Sequence, residues 1–327
     1  MVVRAQGPIE SRPLVAEERP RPVPGPHEIL VRVAACGVCR TDLHVAEGDL
    51  PLRGPVVPGH QIVGRIEERG AGATRFAPGD RVGIAWLRWT CGTCEFCTSG
   101  RENLCRGAKF TGWSADGGFA TYAIVHEQWA YRIPDVFDDV EAAPLLCAGI
   151  IGYRALRLAS VPRTGRLGIY GFGSSAHLTL QVALARGATV YVCTRGAAGQ
   201  ARARTLGAAW AGDVGSAMPH ATDGTIIFAP AGELVPRALE NLAAGGTLVL
   251  AGIYMTPFPS MPYELVFQER MIRSVTANTR ADGVALLHEA ASIPLRPEIR
   301  SFALADANEA LALLKQGAFR GTAVLVP

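Results

Sequence analysis

The chain has 327 residues, 49% of them hydrophobic and 19% charged, with a formal net charge of +3. At about 150 residues per domain the length predicts two domains, and the apolar content excludes a disordered chain. So small a net charge gives no footprint for nucleic acid, and no apolar run approaches the roughly 18 residues of a membrane span. The first residues, MVVRAQGPIE, lack the apolar core of a signal peptide, so the expected location is cytoplasmic.

A polar, proline-rich lead ending in RPVPGPHE precedes ILVRVAA, residues 29–35, which reads as a strand from its β-branched content and near-alternation. Further short strands are expected over 61–67, 81–86 and 119–125, separated by turns such as PVVPGH and FAPGD. Short strands punctuated this often predict an antiparallel, barrel-like first half. From residue 138 the rhythm changes. DDVEAAPLLCAGIIGYRALRLA reads as a helix with acidic residues in its first turn. Strands are then expected over 167–170, 189–193, 225–228 and 247–251, with helices over 174–185, 199–206 and 233–243. That alternation predicts a parallel sheet with crossover helices. A helix over 306–317 and a strand in GTAVLVP close the chain, and no internal repeat is found.

Eight cysteines in a chain this long, without a secretory leader, read as metal ligands or buried apolar residues rather than disulfides. Cys91, Cys94, Cys97 and Cys105 form C-x2-C-x2-C-x7-C. Four thiolates so close can wrap one tetrahedral ion, and a closed four-sulfur site is structural because no position remains for substrate. An iron–sulfur cluster shares the first spacings, but its fourth cysteine usually follows after three residues and precedes proline. Here seven intervene and Arg106 follows, which favours zinc. Cys39 in A-C-G-V-C-R-T-D-L-H, His60 in V-P-G-H-Q and Cys147 in P-L-L-C-A-G each have an ordinary reading when taken singly: buried thiols and a satisfied histidine.

RLGIYGFGSSAH places an apolar strand before G-x-G-x-x-A (Gly171, Gly173, Ala176) and then a helix. The first glycine permits a tight turn and the second lets backbone approach a pyrophosphate. A small third residue lets the helix pack on the strand. Ser174 and Ser175 open that helix beside the phosphates. At the end of the second strand NAD enzymes usually present an acid to the ribose hydroxyls. This chain reads Thr194–Arg195–Gly196 there, with no carboxylate to repel a 2′-phosphate and an arginine able to accept one. NADP is therefore expected over NAD.

Taken together, G-V-C-R-T-D-L-H, P-G-H, G-D-R-V-G, C-G-T-C-E-F-C with Cys105, D-G-G-F-A, L-L-C-A-G and G-F-G-S-S-A run through most of the chain. In order and spacing it resembles the zinc-dependent medium-chain alcohol dehydrogenases. The resemblance implies an α/β protein in which a GroES-like, β-rich catalytic domain (1–148 and 285–327) is joined to a Rossmann domain with a doubly wound parallel sheet (149–284). It implies a catalytic zinc on Cys39, His60 and Cys147, the Cys2His set known from alcohol dehydrogenase, and a second, structural zinc on the four-cysteine cluster. Asp42 would hold the His60 imidazole. Thr41 would bond the substrate oxygen and pass its proton, by way of the nicotinamide ribose, to His44 and solvent. Arg40 and Arg320 match positions on the cofactor pyrophosphate, and Trp86 and Trp113 match positions lining the substrate cleft, where two bulky indoles limit space.

The reaction implied is alcohol and NAD(P)+ to aldehyde or ketone and NAD(P)H. The expected partner is a small alcohol or carbonyl compound, not nucleic acid or membrane, and the expected assembly is a homodimer or homotetramer. One departure stands out: the family commonly has glutamate after the metal-binding histidine, and here it is Gln61. A zinc-independent quinone or enone reductase on the same fold, or a protein that keeps the fold without turnover, would lack the ligands and relay residues present here. A zinc-ribbon nucleic-acid binder would carry a basic stripe beside the cluster, and none occurs. Cys36 and Cys193 are left as buried thiols.

Overall fold

The strand Glu28–Val38 is the spine of the first sheet. Its Ile29, Leu30, Val31 and Val33 side chains are all buried, and it meets different partners along its length, shifting register at two points against one of them. Tyr122–His126 pairs antiparallel with its first half and Thr322–Val326 with its last residues, while Gln61–Arg69 runs along its other edge. Arg81–Ile84 and Ala130–Arg132 continue that side and Ile299–Ala303 closes the other, giving seven strands. Ile29, Val31, Val33, Ile62, Ile66, Val82, Ile84, Phe119 and Leu325 fill the core beneath.

The computed structural model describes residues 1–327, in two units. The first comprises Met1–Cys147, Ala277–Ala291 and Arg296–Pro327, and the second Ala148–Thr276 and Ser292–Leu295. In the second unit Arg166–Tyr170, Thr189–Cys193, Trp210–Gly212, Thr222–Ile227, Leu242–Leu250 and Met271–Ser274 form one parallel sheet. Numbered along the chain, its strand order is 3-2-1-4-5-6, the doubly wound arrangement of dinucleotide-binding folds. The strands at its centre read as apolar runs because both faces are covered.

Several expected elements have different bounds. The strand expected over 81–86 ends at Ile84, and a separate strand starts at Leu87. Thr111 is the reason: its hydroxyl donates to the Ala85 carbonyl at 2.8 Å and its N–H to the Trp86 carbonyl at 2.8 Å, so neither joins a ladder. The strand expected from 119 starts at Tyr122, since the N–H groups of Gly118 and Phe119 donate instead to Gly59 and Pro58. The helix expected through Cys147 is broken there. Asp139–Ala142 is α-helical, Ala143–Leu146 is 3-10 with Pro144 in its first turn, and a new helix begins at Ala148. Cys147, at φ −136° and ψ −70°, belongs to neither, and its N–H donates to the Pro144 carbonyl at 3.4 Å. The strand Met271–Ser274 and the helix Arg280–Ser292 were not legible from periodicity. No single helix is long and apolar enough to cross a membrane.

Candidate active site

Cys39 is the N-cap of the helix Arg40–Glu47. Its sulfur accepts the Thr41 N–H at 3.2 Å and its own N–H donates to the Asp42 carboxylate at 2.9 Å. The thiol therefore sits at the positive end of a helix, where negative charge on sulfur is favoured. His60 enters from a turn that only glycine can make. Gly59 has φ +94°, and a Cβ there would lie 2.4 Å from the Phe119 ring and 2.8 Å from the Cys36 sulfur. Cys147 arrives at the helix break described above.

These three elements bring their ligand atoms together. His60 Nε2 lies 3.4 Å from the Cys39 sulfur and 3.3 Å from the Cys147 sulfur. A tetrahedral zinc with ordinary Zn–S and Zn–N bonds sets such atoms about 3.5 Å apart. The ring is turned for that purpose, because Nδ1 is held by Asp42 Oδ1 at 3.2 Å, leaving Nε2 toward the sulfurs. Asp42 also accepts the Gly59 N–H at 3.0 Å. One buried carboxylate thus positions the ligand histidine, the turn before it and the backbone of Cys39.

The electrostatics of the trio fit a cation. Burial opposes charge on His60, yet the Asp42 carboxylate and the Cys39 sulfur together push it up to about 10. The hydrogen bond from Cys147 holds the Cys39 thiol well below its usual range, and sharing with Cys39 pushes Cys147 well above. Burial is also the main cause that raises Asp42.

Gln61, next in sequence to His60, is fully buried, with neither its amide nitrogen nor its oxygen hydrogen-bonded. It lies over Gly37, where a Cβ would come within 2.8 Å of its side chain. The carboxamide is an orphaned polar group one residue from a ligand, in keeping with a cation nearby.

Thr41 is buried, at 8% exposure, and His44 lies one turn further along the same helix face. Trp86 packs edge-on against the ligand imidazole, with centroids 5.0 Å apart and planes at 71°. Trp86 and Trp113 are near-parallel at 6.1 Å and 7°. Phe110, which the sequence reading missed, stacks on both at 4.9 and 5.8 Å. It belongs to a two-residue strand that pairs with Leu87, a contact without sequence signature. Trp113 is fixed by its indole N–H, which donates to the Pro51 carbonyl at 3.1 Å.

The four-cysteine lobe is a second metal-sized cluster. Cys91 and Cys97 are 3.9 Å apart, Cys94 and Cys97 3.5 Å, and Cys91 and Cys105 3.6 Å, against about 3.8 Å for sulfurs on a tetrahedral zinc. Backbone N–H groups of Thr93 and Cys94 turned toward its sulfur lower Cys91 to about 6. Cys36 and Cys193 are free and buried, as expected of thiols left over from both clusters.

In the second unit Gly171 has φ +84° and faces Ala229, while Gly173 caps the helix Ser174–Ala185. A Cβ on Gly173 would meet nothing within 4 Å, and no side chain caps that end. Backbone N–H groups are therefore open to a phosphate, as that motif requires. Ser174 and Ser175 form the helix's first turn, and Ala176 is buried against the strand. Thr194 is buried at the end of the second strand, and Arg195 beside it is exposed, before a turn at Gly196 with φ +77°. Arg40 and Arg320 are exposed residues of the first unit.

A GroES-like sheet carrying a Cys2His trio and a four-cysteine lobe, with a doubly wound nucleotide fold, defines the class of zinc-dependent medium-chain dehydrogenases. Residues 25–135 match the alcohol dehydrogenase GroES-like domain. The chain is 50% identical to the probable alcohol dehydrogenase AdhA of Mycobacterium tuberculosis, over 99% of this chain and 96% of that one. A protein from Sinorhizobium meliloti described as a zinc-binding dehydrogenase, solved with NADP, superposes with a TM-score of 0.83 at 29% identity, over 94% of each chain. Acetophenone reductase from Geotrichum candidum, solved with NAD, gives a TM-score of 0.89 at 25% identity, over 99% of this chain and 96% of that one. The chain belongs to the zinc-dependent alcohol dehydrogenase family. It is an NAD(P)-dependent oxidoreductase acting on the CH–OH group of small molecules.

Proposed function

We propose that this enzyme oxidises a primary or secondary alcohol at the trio Cys39, His60 and Cys147, in a chain that holds two zinc ions and prefers NADP. The observation that carries the reading is the Nδ1 bond from His60 to buried Asp42, which leaves Nε2 between two sulfurs at metal-ligand separations. When bound, zinc supplies Lewis-acid polarisation of the substrate oxygen and the nicotinamide supplies the hydride acceptor. The rest is done by the chain. Asp42 orients the ligand histidine, the Thr41 hydroxyl bonds the substrate hydroxyl and takes its proton while releasing its own toward His44, and His44 hands that proton to solvent. Trp86 and Trp113, with Phe110, bound the space beside His60 and favour slender substrates.

The unit carrying the sheet of Glu28–Val38 is the catalytic domain in this reading, over 1–148 and 285–327, and 149–284 is the nucleotide domain. Gly171, Gly173, Ser174 and Ser175 hold the pyrophosphate, aided by Arg40 and Arg320. Thr194 and Arg195 meet the adenosine ribose, and the absence of an acid there supports NADP. The four-cysteine lobe takes the structural ion. A cytoplasmic homodimer or homotetramer fits the family. A panel of primary, secondary and aromatic alcohols with both cofactors tests the reading: turnover with NADP above NAD is expected, and no oxidation of any alcohol overturns it.

A further inference from the structure

His44 is not left alone at the end of its helix. Its Nδ1 lies 2.7 Å from Asp49 Oδ2. The turn that carries Asp49 is tied to the residue it contacts, because the N–H groups of Gly48 and Leu50 both donate to the His44 carbonyl at 3.1 Å. Gly48, at φ +103°, closes the helix in the left-handed conformation that makes this turn possible. The His44 side chain is 18% exposed and that of Asp49 67%.

Other charges near this helix are directed elsewhere. The elements packed on it are Ile9–Ser11 and Ala307–Gln316, and their charged side chains are Glu10, Glu309 and Lys315. Lys315 bonds Glu10 and Glu47, and Glu47 also accepts the Ile9 N–H. Arg40, four residues before His44, is exposed. Asp49 is the carboxylate in contact with the imidazole.

We infer that Asp49 is a positioning residue for His44: its carboxylate accepts Nδ1–H and leaves Nε2 as the nitrogen that receives the proton. This rests on the relay reading of Thr41 and His44 given above. In the step, the substrate O–H bond breaks as the Thr41 hydroxyl takes that proton and releases its own toward His44, where an Nε2–H bond forms. The imidazolium then faces the Asp49 carboxylate. Nε2 next gives its proton to water and the neutral Nδ1–H tautomer returns, with no electrons passing through the pair. Without Asp49 the ring is free to place its single proton on either nitrogen, and a share of molecules present the wrong one.

The test uses the full-length, zinc-loaded enzyme labelled with 15N-histidine, with Asp49→Ala, Asp49→Glu and His44→Gln. Long-range 1H–15N spectra, assigned by the signal lost in His44→Gln, are expected to show the Nδ1–H tautomer in the wild type and a mixture in Asp49→Ala. Because the pair is partly exposed, kcat for alcohol oxidation is expected to fall about 3–10-fold in Asp49→Ala with KM little changed. The solvent isotope effect on kcat should grow, and Asp49→Glu should restore part of both. A wild-type tautomer and kcat in Asp49→Ala, together with a slowed His44→Gln, overturn the assignment of Asp49 alone. An unslowed His44→Gln overturns the relay reading and this inference with it. Melting curves of each variant separate these outcomes from loss of fold.

Discussion

Asp42 and His60, each only 1% exposed, are joined by a single bond of 3.2 Å that determines which imidazole nitrogen faces Cys39 and Cys147. The same carboxylate accepts two backbone N–H groups, from Cys39 and Gly59. An amide at position 42 turns one acceptor oxygen into a donor and leaves one of these buried N–H groups facing it. Asp42→Asn is therefore expected to lower zinc affinity at the trio by about 10–100-fold, the usual effect of losing a ligand's supporting contact. Competition with a chromogenic chelator measures it. Unchanged zinc release and turnover would remove Asp42 from the site.

The proposed preference for NADP rests on two residues at the end of the second nucleotide-domain strand. Arg195 is exposed beside buried Thr194, with no acid before the helix Ala197–Thr205. Arg195→Asp puts a carboxylate where a 2′-phosphate would sit. The ratio of kcat/KM for NADP to that for NAD is expected to fall about tenfold or more. A wild-type enzyme that strongly prefers NAD would contradict the assignment.

The near-parallel rings of Trp86, Phe110 and Trp113 form a stack in which Trp86 meets His60 edge-on. Trp113→Ala removes the outer indole and its bond to the Pro51 carbonyl. Relative to ethanol, kcat/KM for branched secondary or aryl alcohols is expected to rise about tenfold, the scale of a hydrophobic pocket's discrimination. An unchanged ratio would mean that this cluster does not bound the substrate space.

Much of this was legible because the chemistry resides in short, ordered motifs. The four cysteines fall within one short segment, the glycine at 171 is required by a turn with φ +84°, and that at 173 caps an open helix end. What stayed hidden depends on contacts between distant residues. Periodicity carried the helix straight through Cys147, because Ala, Leu and Ile on both sides suit a helix. The chain instead breaks at Cys147, which places that sulfur beside His60. Phe110 could not be linked to Trp86 without the strand pairing that brings them together. Gln61 was visible as a departure, but only the structure reveals an amide with no partner lying over Gly37. Asp49 belongs to no motif, and only the contact of its carboxylate with His44 singles it out.

The division of labour between the two cysteine sets is decided by zinc content per chain, read alongside turnover and melting for the wild type, Cys39→Ser and Cys94→Ser. About two zinc ions are expected in the wild type and about one in each variant. Cys39→Ser should abolish turnover while melting within a few degrees of the wild type, and Cys94→Ser should melt more than about 5 °C lower. A wild type holding one zinc, or a Cys39→Ser enzyme that keeps both zinc and turnover, would contradict the assignment of catalysis to Cys39, His60 and Cys147.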